Sequence, residues 1–118
     1  TGVQTCALPI LDLGVLPNPW DSDAADVNQK ATYSAIMNPY TNGVPDSVMT
    51  SFTNDYENLF RLFLKHKDKV SRITFWGVND KQSWLNGWPI PGRTNYPLLF
   101  DRNNQPKEAY YKIIALKQ

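Results

Sequence analysis

Three tryptophans sit close together in the second half of the chain: Trp76, Trp84 and Trp88. Asn79, Asp80, Asn86 and Arg93 lie among them, and Asp12 and Trp20 stand near the other end. A flat indole face packs on the C–H face of a ligand while its N–H seeks a polar partner. Rings mixed with Asn and Asp therefore suit neutral polar ligands with apolar faces, of which sugars are the prime example. The six tyrosines and five phenylalanines are read mainly as core. Other chemistries find little support. His66, the single histidine, falls in Lys65-His66-Lys67, where cations suit the exposed carbonyls at a helix end. The single cysteine, Cys6, gives no disulfide framework. No metal-ligand cluster and no phosphate-binding glycine loop is visible, so no cofactor or metal is expected. A net charge of +1 gives no electrostatic case for nucleic acid or an anionic membrane surface, and no apolar run is long enough to span a bilayer.

The elements that must hold these residues read as follows. Leu11, Leu13, Val15 and Leu16 form a short apolar run broken by Pro17 and Pro19, the end of a strand leaving a sheet. Residues 21–40 are polar, with a short helix expected over 24–37 and stopped by Asn38-Pro39. Thr41-Asn42-Gly43 is a turn. Pro45 and Asp46 mark a helix start. Val48, Phe52, Tyr56, Leu59, Phe60, Phe63 and Leu64 then recur at spacings of three and four, which predicts an amphipathic helix over 46–67. Residues 72–78 are β-branched and aromatic and read as a strand. A long loop follows over 79–98, then a turn, then a helix opening near Pro106 with Ala109, Ile113, Ile114 and Leu116 on its apolar side. The order is two βα units, which belongs to an α/β fold with parallel strands. The tryptophans fall in the segments after the strands, the functional face of a (β/α)8 barrel.

RITFWGVND (72–80), SWLN (83–86), GRTNYPLLFD (92–101) and QPKEAY (105–110) together strongly resemble the C-terminal end of family 10 glycoside hydrolases. The resemblance runs over residues 11–114. It implies a retaining endo-1,4-β-xylanase on a (β/α)8 TIM barrel, of which this chain holds the seventh and eighth strands and their helices. It implies that the tryptophans at Trp76 and Trp84 line the substrate cleft near the cleaved bond. Trp84 is the favoured sugar contact and Trp76 a wall. Trp88 and Arg93 share the loop and are either further substrate-binding groups or loop packing. Trp20 is read as a loop anchor, and Asn79 and Asp80 as loop hydrogen-bonding residues. The implied partner is xylan or a xylo-oligosaccharide, acted on by a monomeric domain that in some contexts carries carbohydrate-binding modules. The implied location is secreted or periplasmic, since the polymer cannot enter cells.

Retaining glycosidases need two carboxyl groups. In the resembled family the nucleophile is a Glu within a T-E-x-D pattern, and the acid/base Glu follows an earlier strand that this chain does not contain. LDLGVLP (11–17) matches the text directly after the nucleophile. Asp12 falls on the pattern's Asp, which supports the nucleophile by orienting a His from another strand. The nucleophile's own position is Ile10, which has no lone pair to attack with. The first ten residues, TGVQTCALPI, resemble the translated end of a common short-read sequencing adapter. Residues 1–10 are thus expected to be a non-biological scar, and 11–118 the C-terminal part of the catalytic domain. The rival is a natural extension that replaced the Glu. On this reading the chain by itself folds poorly and is inactive. Two other classes remain open. A glycan-binding module is disfavoured by the strong helix, since such modules are built from many short strands. A structural α/β domain would use the tryptophans for packing alone.

Overall fold

In the computed structural model the described residues are 6–17 and 35–116. The expected loop anchor Trp20 and most of the expected helix over 24–37 lie outside them. The last residues of that stretch, Ala35–Met37, form a 3-10 turn before Asn38-Pro39.

Two parallel strands form the sheet. β1 (Ile10–Leu11) pairs with β2 (Thr74–Phe75) in the register Ile10↔Thr74 and Leu11↔Phe75. The Thr74 amide donates to the Pro9 carbonyl at 2.9 Å and the Trp76 amide to Leu11 at 3.3 Å. Pairing reaches back further: Ala7 bridges Val70, with the Ala7 amide on Lys69 at 2.7 Å and the Ser71 amide on Ala7 at 3.1 Å. Ile10 and Leu11, the two sides of the expected join, therefore share one strand. Such a ladder uses backbone groups only, so it accepts residues 7–10 whatever their origin. β2 is shorter than the 72–78 expected. Gly77, at φ +144°, bends the chain just after it, and a β-carbon there would come within 2.8 Å of Leu98 Cδ1. Beyond the bend, one bridge joins Asn79 to Phe100. No other described strand pairs with β1 or β2.

α1 (Asp46–Lys65) is the crossover between the strands. Pro45 pre-sets the entry and Asp46 complements the positive end of the helix. It ends two residues before the expected Lys67, with the His66 amide shared between Leu62 and Phe63. α2 (Glu108–Ala115) packs against α1 on the same face of the sheet. The core there is Leu11, Phe52, Tyr56 and Ala109, backed by Leu13, Val15, Phe60, Phe75 and Ile113. Phe52 meets Tyr56 edge-on at 4.9 Å, and Phe60 stacks on Phe75 at 5.9 Å. Tyr56 is fully buried. Its hydroxyl donates to the Pro97 carbonyl at 2.7 Å and accepts from the Leu13 amide at 3.2 Å. Burial pushes the phenol's pKa up, so it remains the neutral donor this bridge needs.

The opposite face of the sheet has no such cover among the described residues. Ile10, Trp76 and Val78 are all exposed there or at its end. That asymmetry sets the location of the site: one face is packed by helices, and the carboxyl ends of both strands open on the other.

Candidate active site

The expected 79–98 loop contains two 3-10 turns, Asp80–Gln82 and Trp84–Asn86. Each has a side-chain cap. Asn79 accepts the Gln82 amide at 3.1 Å, and Ser83 accepts the Leu85 amide at 3.2 Å. Sequence reasoning missed both turns, although N-D-x-x-S carries two consecutive capping residues that mark helix starts.

These turns bring Trp84 back over the strand ends. Ile10, Asp12, Trp76 and Trp84 line one open cleft of about 430 Å³. Trp76 is 57% exposed and Trp84 45%, so each indole presents surface to a ligand. The Trp84 Nε1–H donates to Asp12 Oδ2 at 2.5 Å, closing the cleft from loop to strand. Trp88 stacks behind Trp84 with centroids 5.1 Å apart and planes 29° from parallel. It does not itself line the cleft.

Asp12 follows β1 and is half-buried. Its Oδ1 is buried and has no hydrogen-bond partner among the described residues. Burial raises its carboxyl above the ordinary carboxylate range, and the Trp84 hydrogen bond pulls the other way. A carboxyl whose pKa rises on folding contributes most stability below the unfolded value of 3.8. That contribution is lost as pH climbs through the folded value. Asp12→Asn keeps an acceptor for Trp84 and removes the ionisation. Its melting temperature should match the parent in acid and exceed it increasingly toward neutral pH, as read by thermal melts across that range.

Arg93 is placed differently from a cleft residue. It is buried, and its Nη1 donates to the carbonyls of Pro17 at 2.9 Å and Met37 at 3.2 Å. No carboxylate lies within ion-pair distance of it among the described residues. It ties three chain segments together away from the cleft lining. Asn79 and Asp80 are both buried and hold the loop, as the sequence suggested. Asp80 does more than that reading foresaw. It forms an ion pair with Lys107 at 2.7 Å and accepts the Leu98 amide at 2.9 Å. Lys107 Nζ also donates to the Tyr96 carbonyl at 2.9 Å and sits 4.5 Å from the Phe52 ring centre.

A larger hollow, about 560 Å³, lies at the far ends of the helices between Arg61, Lys65, Lys67 and Leu116. It has no tryptophan or carboxylate and is the solvated basic end of α1. Among the described residues no three His, Cys, Asp or Glu side chains converge to hold a metal, and no helix is long and apolar enough to cross a membrane.

Residues 19–116 match the sequence model of glycosyl hydrolase family 10. The chain is similar to endo-1,4-beta-xylanase A of Xylanibacter ruminicola, at 44% identity over 106 residues, covering 90% of this chain and 29% of that protein. It is 48% identical over 75 residues to the thermostable celloxylanase of Thermoclostridium stercorarium, covering 64% of this chain and 19% of that protein. Among solved structures it resembles a GH10 endoxylanase retrieved from a sugarcane soil metagenome. There the TM-score is 0.87 and the identity 43%, over 96% of this chain and 33% of that one. Xylanase B from Clostridium stercorarium F9 follows with a TM-score of 0.68 and 36% identity, over 90% of this chain and 26% of that one. The chain thus spans under a third of the curated relatives it matches.

Proposed function

Because the chain belongs to glycosyl hydrolase family 10, we propose that it supplies one side of the catalytic cleft of an endo-1,4-β-xylanase that hydrolyses internal β-1,4 bonds of xylan with retention. On this reading β1 and β2 are the seventh and eighth strands of a (β/α)8 barrel, with α1 and α2 as the helices that follow them. The observation that carries the proposal is the convergence of Ile10, Asp12, Trp76 and Trp84 on one cleft at the carboxyl ends of two parallel strands. Barrel enzymes build their sites at that end. The uncovered sheet face, with Ile10 61% and Val78 64% exposed, suits a sheet whose second face packs against other parts of a barrel, since parallel sheets are covered on both faces.

The chemistry follows from the cleft. A xylose ring lies against the Trp84 face, whose N–H is already engaged by Asp12 and whose back is stiffened by Trp88. Trp76 walls the floor. In a retaining hydrolase a carboxylate attacks the anomeric carbon while an acid protonates the departing oxygen. The glycosyl-carboxylate bond then breaks as water, deprotonated by the second carboxylate, adds to the same carbon. The attacking group belongs at position 10, which opens into the cleft, and here that position is isoleucine. The acid/base is supplied from elsewhere in the barrel. The chain as written therefore binds sugar weakly and cleaves nothing. We assign residues 1–10 to a foreign sequence joined at Ile10–Leu11, in support of which the side chain that chemistry demands is missing at the join. We assign Asp12, whose Oδ1 has no hydrogen-bond partner among the described residues, to supporting the nucleophile through a group on another strand. We assign Arg93 to holding the loop, and the intact enzyme to the secreted or periplasmic space where xylan is met.

The test is a titration with xylo-oligosaccharides followed by tryptophan fluorescence, on the full-length protein that carries this segment. Trp84→Ala should weaken binding by about a hundredfold or more, the scale of losing one buried aromatic contact. Equal affinity in the variant would reduce the tryptophans to packing. Tight binding with no cleavage, even with Glu at position 10, would favour a glycan-binding module.

A further inference from the structure

Asn86 closes the 3-10 turn that carries Trp84 and does not line the cleft. Its side chain nevertheless ties the turn that carries Trp84 to two further loop segments. Nδ2 faces three carbonyl oxygens: Asp80 at 2.7 Å, Ser83 at 3.1 Å and Lys81 at 3.4 Å. Oδ1 accepts from the Asn95 amide at 2.7 Å and from Arg102 Nη2 at 3.0 Å. A carboxamide offers two donors and two lone pairs, and here both ends are in use. The backbone of Asn86 adds two bonds, with its amide on the Ser83 carbonyl at 3.2 Å and its carbonyl accepting from the Arg93 amide at 2.9 Å. Trp84 stands between Ser83, whose carbonyl is held, and Asn86 itself. Its backbone is thus gripped on both sides, and the indole has only its own two torsions left to fix.

We infer that Asn86 is a positioning residue of the cleft: its carboxamide locks the 3-10 turn that carries Trp84 and thereby sets the indole–Asp12 hydrogen bond and the angle of the sugar-stacking face. No other residue type does this. Aspartate would set a carboxylate against three carbonyl oxygens. Alanine would strip the Asn95 amide of its acceptor and take one donor from each of the three carbonyls. Glutamine has the right groups one methylene too far out. The step from indole placement to sugar affinity rests on the function proposed above. The step from Asn86 to indole placement does not.

The experiment separates the two. In the full-length protein, the Trp84 indole N–H resonance is assigned by its loss in Trp84→Phe. It is then followed in Asn86→Asp and Asn86→Ala. We expect it to leave its hydrogen-bonded position and to exchange with water roughly tenfold faster or more, the equivalent of one hydrogen bond lost. The Kd for xylo-oligosaccharides, read by tryptophan fluorescence titration, should rise by a similar factor while far-UV circular dichroism stays unchanged. An unmoved resonance and unchanged Kd in a variant with a lower melting temperature would overturn the inference, since that is the signature of a structural role alone. If neither Asn86 variant folds, Arg102→Met, which removes one of the two Oδ1 donors, must move the resonance in the same direction by less. An unmoved signal in that folded variant also overturns it. If the resonance moves as expected while even the unaltered protein has no affinity for xylo-oligosaccharides, the positioning role stands and the sugar reading falls.

Discussion

Asp80→Ala is expected to destabilise the protein by about 3–5 kcal/mol, enough to unfold it where its margin is small. Asp80 is fully buried and the Lys107 side chain is 7% exposed. Removing the carboxylate leaves an ammonium inside the protein with only the Tyr96 carbonyl and the Phe52 ring for company. It also strips the Leu98 amide of its acceptor. Burial raises the Asp80 pKa and lowers that of Lys107, so each group tolerates its charge only because the other is there. The double variant Asp80→Asn with Lys107→Met should recover most of the loss. It removes both charges, keeps a group able to meet the Leu98 amide, and places an apolar stem on Phe52. Denaturant unfolding of the parent, Asp80→Ala and the double variant checks this. A double variant no better than Asp80→Ala would mean that the pair matters through something other than charge burial. The pair has a functional side as well. Asp80 begins the turn that leads to Trp84, and Lys107 precedes α2. The ion pair thus joins the helix layer to the loop that forms the cleft wall.

How much of this was legible in the sequence follows from the range of the forces involved. The stripe from Phe52 to Phe63 announced α1 because helix amphipathicity is local and repeats every turn. The second strand followed from its β-branched and aromatic residues; the first was expected from the apolar run Leu11, Leu13, Val15 and Leu16, of which only Leu11 is paired, and the parallel order from the helix between them. The meeting of Asp12 with Trp84 spans 72 residues and no periodicity encodes it; only the family resemblance suggested that both belong to one cleft. Arg93 shows the opposite limit. An arginine in a loop beside tryptophans reads equally well as a ligand contact or a clamp, and only its burial against the Pro17 and Met37 carbonyls distinguishes them. The Asp80–Lys107 pair and the Asn86 hub were invisible because polar residues in loops are ordinarily solvated. What removes these from water is packing that the sequence does not spell out.

The largest functional effect is expected at position 10. In an intact barrel that carries residues 11–118, glutamate rather than isoleucine at position 10 should raise the release of reducing ends from xylan by about ten-thousandfold or more, the scale on which enzymes lose activity when a nucleophile is removed. Position 10 lies in β1 beside Asp12 and opens on the cleft walled by Trp76 and Trp84. A carboxylate there would stand where a sugar's anomeric carbon meets the stacking face. Isoleucine offers only methyl groups to that carbon, so no glycosyl-enzyme bond can form. Glu needs no new backbone geometry, because position 10 is 61% exposed and its backbone already pairs in register with Thr74.

Reducing-end release from xylan, measured side by side for the intact barrel carrying residues 11–118 with isoleucine and with glutamate at position 10, is the most direct test of the claim that this cleft is the attacking half of a retaining glycosidase site. The account predicts no turnover above background with isoleucine and ready hydrolysis after the substitution. Equal hydrolysis by both, or none by either with the barrel intact and xylo-oligosaccharide bound, would contradict it.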